Sequence, residues 1–273
     1  MSDTAQQQPR RPNASPRPGA GLPFHDRINA ITTQDPWLWL AAGWRDLRRA
    51  PACRIGYGAL FVASGSAVTF GLYQLHLTYM IWPMAAGFIL VAPVFCTAFY
   101  EISRRLEDGD EIGFVPLARA WGSNAKSVLG AGLALVFFMI LWIRVAALIY
   151  AINFRYTGLS IQEMTVKTFF TPEDITVLAV GSAIGAVLAF FPFLVSAVSL
   201  QAMLGQGMEF LGSVIVSVMA VSRNFGPMML WAAIIVAITA VGLACTFVGH
   251  AVTMPLVGHA SWYAYRTLVR EPS

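Results

Sequence analysis

The chain has 273 residues, 57% of them hydrophobic and 12% charged, against about 45–50% and about 25% in soluble globular domains. A water-soluble fold of this length lacks the interior to hide so much apolar surface, which excludes an ordinary soluble enzyme or binding domain. The net charge of +4 comes from basic residues beside apolar runs, where anionic lipid headgroups supply the counter-charge, so no nucleic-acid partner is expected.

Residues 1–34, rich in Pro, Gln and Arg with no apolar run, are expected to form a disordered cytoplasmic tail. The apolar core of a secretory signal is absent from them, so the first crossing is expected to act as its own insertion signal. A helical transmembrane domain over 35–270 follows. It opens with DPWLWLAAGWRDLRRAP, in which Asp35 suits a helix cap and Pro36 the first helical position. Trp37, Leu40, Ala41, Trp44 and Leu47 recur at helical spacing, with Arg45, Arg48 and Arg49 mostly off that face. Tryptophan and arginine together predict an amphipathic helix lying in the headgroup layer.

Three stretches then carry no Asp, Glu, Lys or Arg: residues 55–100, 175–208 and 224–265. One bilayer crossing needs about 20 residues, so the first and last are each read as two crossings and the middle one as a crossing plus a surface segment. The predicted crossings are 54–74, 80–101, 127–151, 174–201, 227–247 and 250–268. Pro83, Pro93, Pro192 and Pro255 fall in the even-numbered ones, where neighbouring helices can satisfy the freed carbonyls. Residues 244–250 hold no strong turn signal, so a five-crossing version with a surface-lying C-terminal helix is the alternative. With the tail inside, the cytoplasmic segments hold fifteen Lys and Arg and the outer ones only Arg155 and Lys167. This asymmetry places both termini in the cytoplasm.

The expected fold is therefore all-α integral membrane, six transmembrane helices with short interfacial amphipathic helices. A weak threefold helical-hairpin repeat runs through it: surface helices at 36–50, 114–125 and 208–224 each precede two crossings. Pro93 stands seven residues before Tyr100 and eleven before Arg104, as Pro255 stands before Trp262 and Arg266. Parallel repeats of this kind occur in transporters, among other proteins.

DPWLWLAAGWRDLRRAP, WPMAAGFILVAPVFCTAFYEISRRLEDGD and PLVGHASWYAYRTLV together resemble the bacterial integral membrane protein family with domain of unknown function 2189. The resemblance implies a bacterial cytoplasmic (inner) membrane location and carries no catalytic residues with it. Some members are loosely likened to a cytochrome oxidase subunit, which would imply a haem-associated respiratory component. The residues argue against that. The four histidines are His25, His76, His250 and His259, only the last two share a predicted crossing, and no CxxCH is present. Cys53, Cys96 and Cys245 form neither a disulfide frame nor a zinc site.

The candidate functional residues are few. His259 is predicted near mid-membrane, where ionisable groups are costly and face the bundle interior. It either donates to a carbonyl freed by Pro255 or joins Tyr263 or Tyr100 in a proton relay or ligand contact. Arg144 is the one Lys or Arg away from the cytoplasmic end of a predicted crossing, either snorkelling to the outer surface or facing an anion or partner. Glu101 with Arg104 and Arg105 has helical ion-pair spacing. Glu107, Asp108, Asp110 and Glu111 read as a solvated acidic turn without EF-hand spacing. Gly181 and Gly185 form a GxxxG that packs helices within the bundle or between copies. No phosphate loop, HExxH or GxSxG is present. The expectation is a non-enzymatic protein with no cofactor and no metal, partnered by the lipid bilayer and by other membrane proteins. It acts as an accessory, scaffold or lipid-interacting subunit. The alternative is a small-solute permease whose pathway is lined by crossings two, four and six.

Overall fold

The computed structural model describes residues 24–49, 51–112, 122, 124–153, 172–245 and 248–270. The surface helix expected at 114–125 lies almost wholly outside them, as do residues 1–23 of the expected tail. Ten α-helices are described: α1 Asp35–Arg49, α2 Pro51–Gln74, α3 Ile81–Phe95, α4 Thr97–Asp108 and α5 Ala125–Asn153, then α6 Pro172–Ser196, α7 Ser199–Gln206, α8 Phe210–Arg223, α9 Phe225–Ala244 and α10 His250–Leu268. Among the described residues there is no strand beyond a single bridge, Ile28 to Val269.

Among the described residues, three helical stretches are long and apolar enough to cross a membrane: Ala125–Ile149, Ala179–Gln206 and Phe225–Ala244. Their outer faces show Leu133, Phe137, Val187 and Val236 to the surroundings, each more than half exposed. Such an apolar exterior is stable in hydrocarbon and unstable in water.

The described chain begins at Phe24, well before the boundary expected at 35. Asn29 and Arg270 hold this segment down: the Asn29 amide N–H donates to the Leu268 carbonyl (2.9 Å) and the Arg270 N–H to the Arg27 carbonyl (2.9 Å). Ile31 N–H donates to Asn224 Oδ1 (2.9 Å).

Helix α1 forms where its sequence places it, and it also packs against protein along a stripe that the sequence reading did not single out. Pro36, Trp39, Gly43, Asp46 and Leu47 are buried, while Trp37, Leu38 and Trp44 are exposed. The reason is α10. A Cβ on Gly43 would stand 2.6 Å from the Ala260 backbone nitrogen, so only the glycine side of α1 can approach that helix closely. Gly258 gives α10 the same closeness to Phe99 on α4. Helix α10 is thus a hub, buried over most of its length and packed against α1, α2, α4, α7 and α9. The turn before it, unsignalled in sequence, needs little room: a Cβ on Gly249 would meet the Gly242 backbone at 2.7 Å, so the two glycines let α9 and α10 fold back on each other.

Two expected crossings are each divided. The one carrying Pro93 divides into α3 and α4 at Cys96, whose backbone stays right-handed helical and whose N–H still bonds the Ala92 carbonyl, and the one carrying Pro192 breaks between Ser196 and Ser199, where Val198 leaves helical geometry. Proline removes a donor and crowds the preceding turn, leaving carbonyls that need partners. At the second division Ser217 on α8 supplies one. Its hydroxyl donates to the Leu194 carbonyl (2.9 Å) and accepts the Val198 N–H (3.3 Å). Within α6, Gly185 of the GxxxG packs against the Trp142 ring of α5, whereas Gly181 meets nothing. That motif serves a contact inside the bundle.

Candidate functional site

Two polar regions lie side by side, sharing α4 and α10. The first is a buried cluster. Asp46 and Ser103 are fully buried and His259 is 1% exposed. The Ser103 hydroxyl lies 2.8 Å from Asp46 Oδ2 and 2.8 Å from His259 Nδ1. The Tyr263 hydroxyl donates to the same Asp46 oxygen at 2.8 Å, and Arg45 reaches Tyr263 at 3.5 Å. Asp46 Oδ1 is buried with no partner. One helix supplies the carboxylate, the second the hydroxyl, and α10 the imidazole and phenol four residues apart, on one helical face. Phe99 on α4 lies against the imidazole ring, with centroids 5.4 Å apart.

Of the residues singled out from sequence, His259 and Tyr263 meet here. His259 turns to Ser103 on a neighbouring helix, not only to backbone. Asp46 and Ser103 were not foreseen. Asp46 is the sole acidic residue between Asp35 and Glu101, and it shares a helical stripe with Trp39 and Gly43. That stripe, with a glycine at its centre, was the available clue.

Glu101 is 1% exposed and carries both expected partners. Arg104 binds it with two bonds of 2.8 Å and Arg105 with one of 2.7 Å. The bond to Glu101 is the largest cause holding the Arg104 pKa above its ordinary value, with burial opposing it; the guanidinium stays charged. On the first helix, the Tyr263 hydroxyl likewise raises the Arg45 pKa. The acidic turn is more than a solvated loop. Glu107 accepts the Trp262 indole N–H (3.0 Å) and pairs with Arg266 (3.3 Å), tying α4 to α10. Arg144 is exposed on α5 and belongs to neither region.

The second region is a cleft at the helix divisions. Ala92, Pro93, Cys96 and Tyr100 line it from α3, α4 and the turn between them; Phe193, Ser196 and Gln201 from α6 and α7; Trp231 and Thr239 from α9; Met254 and Ser261 from α10. Its walls are mainly apolar. Ser261 and Thr239 spend their hydroxyl donors on their own helices, bonding the Val257 and Ile235 carbonyls. Gln201 is 1% exposed and its Oε1 has no partner. Tyr100 therefore lies in the cleft and not with His259. Among the described residues no three His, Cys, Asp or Glu gather in a way that could hold a metal ion.

Apolar exterior, divided helices and a buried polar interior define an all-helical integral membrane protein embedded in the lipid bilayer. Residues 81–205 match the family described as Predicted integral membrane protein (DUF2189), which bears out the resemblance read from the sequence. The match takes in the WPMAAGFILVAPVFCTAFYEISRRLEDGD segment and the middle of the chain, and leaves the two terminal segments of that resemblance outside it. No curated protein and no solved structure matches the chain.

Proposed function

We propose that the protein is a non-enzymatic small-solute permease of six crossings, formed by α2, α3–α4, α5, α6–α7, α9 and α10, with both termini on the cytoplasmic side of a bacterial inner membrane. The Lys and Arg asymmetry supports this orientation. The observation that carries the reading is the cleft. The interruption in crossing four and the proline-bearing crossings two and six meet around one space, and a discontinuous helix is how transporters build solute sites. A mostly apolar wall with few convergent polar groups suits a small uncharged molecule. Gln201 lines the cleft and its buried Oε1 has no partner; the reading requires the side chain to turn that oxygen into the cleft, where the solute donates to it.

A lipid-interacting accessory role is the second reading. It is favoured by the exposed Trp37–Trp44 face of α1, where the Arg48 guanidinium lies 5.0 Å over the Trp44 ring, an arrangement suited to a headgroup layer. Its other motive, a scarcity of buried polar groups, is weakened by the Asp46–Ser103–His259 cluster.

The two readings separate in proteoliposomes challenged with urea, glycerol and short-chain alcohols, with shrinkage and reswelling followed by light scattering. The permease reading expects flux above protein-free vesicles for at least one solute. It also expects that flux to fall roughly tenfold in Gln201→Leu, the loss of one hydrogen bond of about 1.4 kcal/mol. Folded protein giving no more flux than empty vesicles for the whole panel refutes it.

A further inference from the structure

We propose that Asp46, Ser103 and His259 form one buried proton-binding site, in which a single exchangeable proton is shared between carboxylate and imidazole through the Ser103 hydroxyl.

The geometry gives the proton a path with every bond accounted for. Ser103 has one hydroxyl hydrogen and two neighbours at 2.8 Å, Asp46 Oδ2 and His259 Nδ1. With the proton on the imidazole, Nδ1–H donates to Ser103 and the Ser103 O–H donates to Asp46, a charged pair bridged by a hydroxyl. Transfer breaks Nδ1–H as the serine oxygen gains that proton, and breaks the original serine O–H as Asp46 Oδ2 gains that one. The chain then runs in reverse. The carboxylic acid donates to Ser103, the Ser103 O–H donates to Nδ1, and both end groups are neutral. The three atoms keep two hydrogen bonds in each form. The Tyr263 hydroxyl donates to Asp46 Oδ2 when the carboxylate is charged and shares that oxygen when it is not.

The surroundings demand the proton. A lone carboxylate with no exposure and an orphan Oδ1 would cost several kcal/mol without a compensating positive charge. Among the described residues no cation pairs directly with Asp46, Arg45 lying just beyond the Tyr263 hydroxyl. On α4, Arg104 and Arg105 bind Glu101. On α10, Arg266 binds Glu107. On α1, Arg45 stands outside the cluster, against the outer side of Tyr263. From Gly56 onward α2 holds no Asp, Glu, Lys or Arg, and its Tyr57 faces Phe99. Helices α7 and α9 also carry no such residue. Of the remaining carboxylates on these elements, Glu101, Glu107 and Asp108 have arginine partners, and Asp35 at the start of α1 accepts from Thr32. Tyr263 and Arg45 are where the cluster reaches water, so protons enter and leave there.

The inference stands apart from the solute reading, because the ligand is the proton and the measurement needs no solute. The full-length protein in lipid nanodiscs is titrated while infrared difference spectra follow the carboxyl stretch and nitrogen NMR follows ring-labelled histidine. The expected result is one bound proton at neutral pH, seen as a protonated-carboxyl band, an imidazolium signal or both in exchange. Asp46→Asn removes the band and leaves His259 neutral. Ser103→Ala separates the two groups so that carboxyl and imidazole titrate at different midpoints, and Ser103→Thr, which keeps the hydroxyl, restores a common one. Helical content by circular dichroism confirms that each variant is folded. An ionised Asp46 beside a neutral His259 at neutral pH in the wild type overturns the proposal, and so does a Ser103→Ala titration identical to the wild type.

Discussion

The packing of α1 on α10 makes one substitution change sign with position. Gly43→Ala adds a methyl group whose carbon would stand 2.6 Å from the Ala260 nitrogen and 2.9 Å from its Cα and Cβ. Unstrained contacts of this kind lie at about 3.5–4.0 Å, so the two helices must part by about 1 Å. Two of the obstructing atoms are backbone and cannot rotate away. Overpacking at such a contact costs about 1–3 kcal/mol. Separation also stretches the Trp39 indole bond to Thr267 (3.1 Å) and the Tyr263 bond to Asp46 (2.8 Å), each contributing about 1 kcal/mol. Against this stands the helix propensity gained, about 1 kcal/mol. The net expectation is a loss of about 1–3 kcal/mol. Gly71→Ala on α2 is the matched control, because a Cβ there meets nothing within 4 Å and only the propensity gain remains. Both variants are compared with wild type by reversible denaturation in detergent micelles, followed by circular dichroism and tryptophan fluorescence. If Gly43→Ala stabilises the protein as much as Gly71→Ala does, the close docking of α1 on α10 is wrong.

Ser217→Ala should destabilise by about 1–3 kcal/mol in the same assay, because it strips the Leu194 carbonyl and Val198 N–H of a partner at a buried helix break; an effect under about 0.5 kcal/mol would mean that the break satisfies itself. Glu107→Gln combined with Trp262→Phe in a double-mutant cycle should show a coupling of roughly 0.5–1.5 kcal/mol, since the indole bond is charge-assisted but partly open to water; zero coupling would show that the two side chains do not meet. In a Cys53→Ala background, Cys245 is exposed and Cys96 buried, so a polar maleimide should label one thiol in the native state and a second only after unfolding; equal native labelling of both contradicts the burial of Cys96. Arg144→Leu should change stability by less than about 0.5 kcal/mol, as expected for an exposed site outside both polar regions; a larger loss would place the guanidinium inward.

The membrane class and the position of α1 were legible, because each depends on composition over about 15–20 residues. The division of the second and fourth expected crossings was not legible: Pro93 and Pro192 stand just before the divisions, but Pro255 stands inside an undivided α10, so a missing N–H alone does not say which helix will part. The turn at 244–250 was not legible. It is built from the mutual approach of Gly242 and Gly249, which are seven residues apart, and turn rules describe neighbours. The ordering of residues 28–34 was hidden for a related reason. A short polar segment has no pattern of its own, and this one is held by Leu268, Asn224 and Arg270, more than 190 positions away in sequence.

The polar cluster escaped for a physical reason peculiar to membrane proteins. In water, an apolar stripe marks the side of a helix that faces protein. Beside lipid, both sides of a helix can be apolar, and hydrophobicity no longer distinguishes neighbour from solvent. Helix α1 shows the result: the stripe of Trp37 and Trp44, expected to meet the headgroup layer, is exposed, and nothing in hydrophobicity singled out the side holding Gly43 and Asp46 that faces α10. What separates the two sides is size and polarity. Small residues admit another helix, and a carboxylate accepts burial only where a partner helix brings it donors. By that criterion Asp46, three residues beyond Gly43, and His259, one residue beyond Gly258, each follow the glycine that permits the contact. At these two positions closest approach gives the polar group both a hydrogen-bond partner and shelter from lipid.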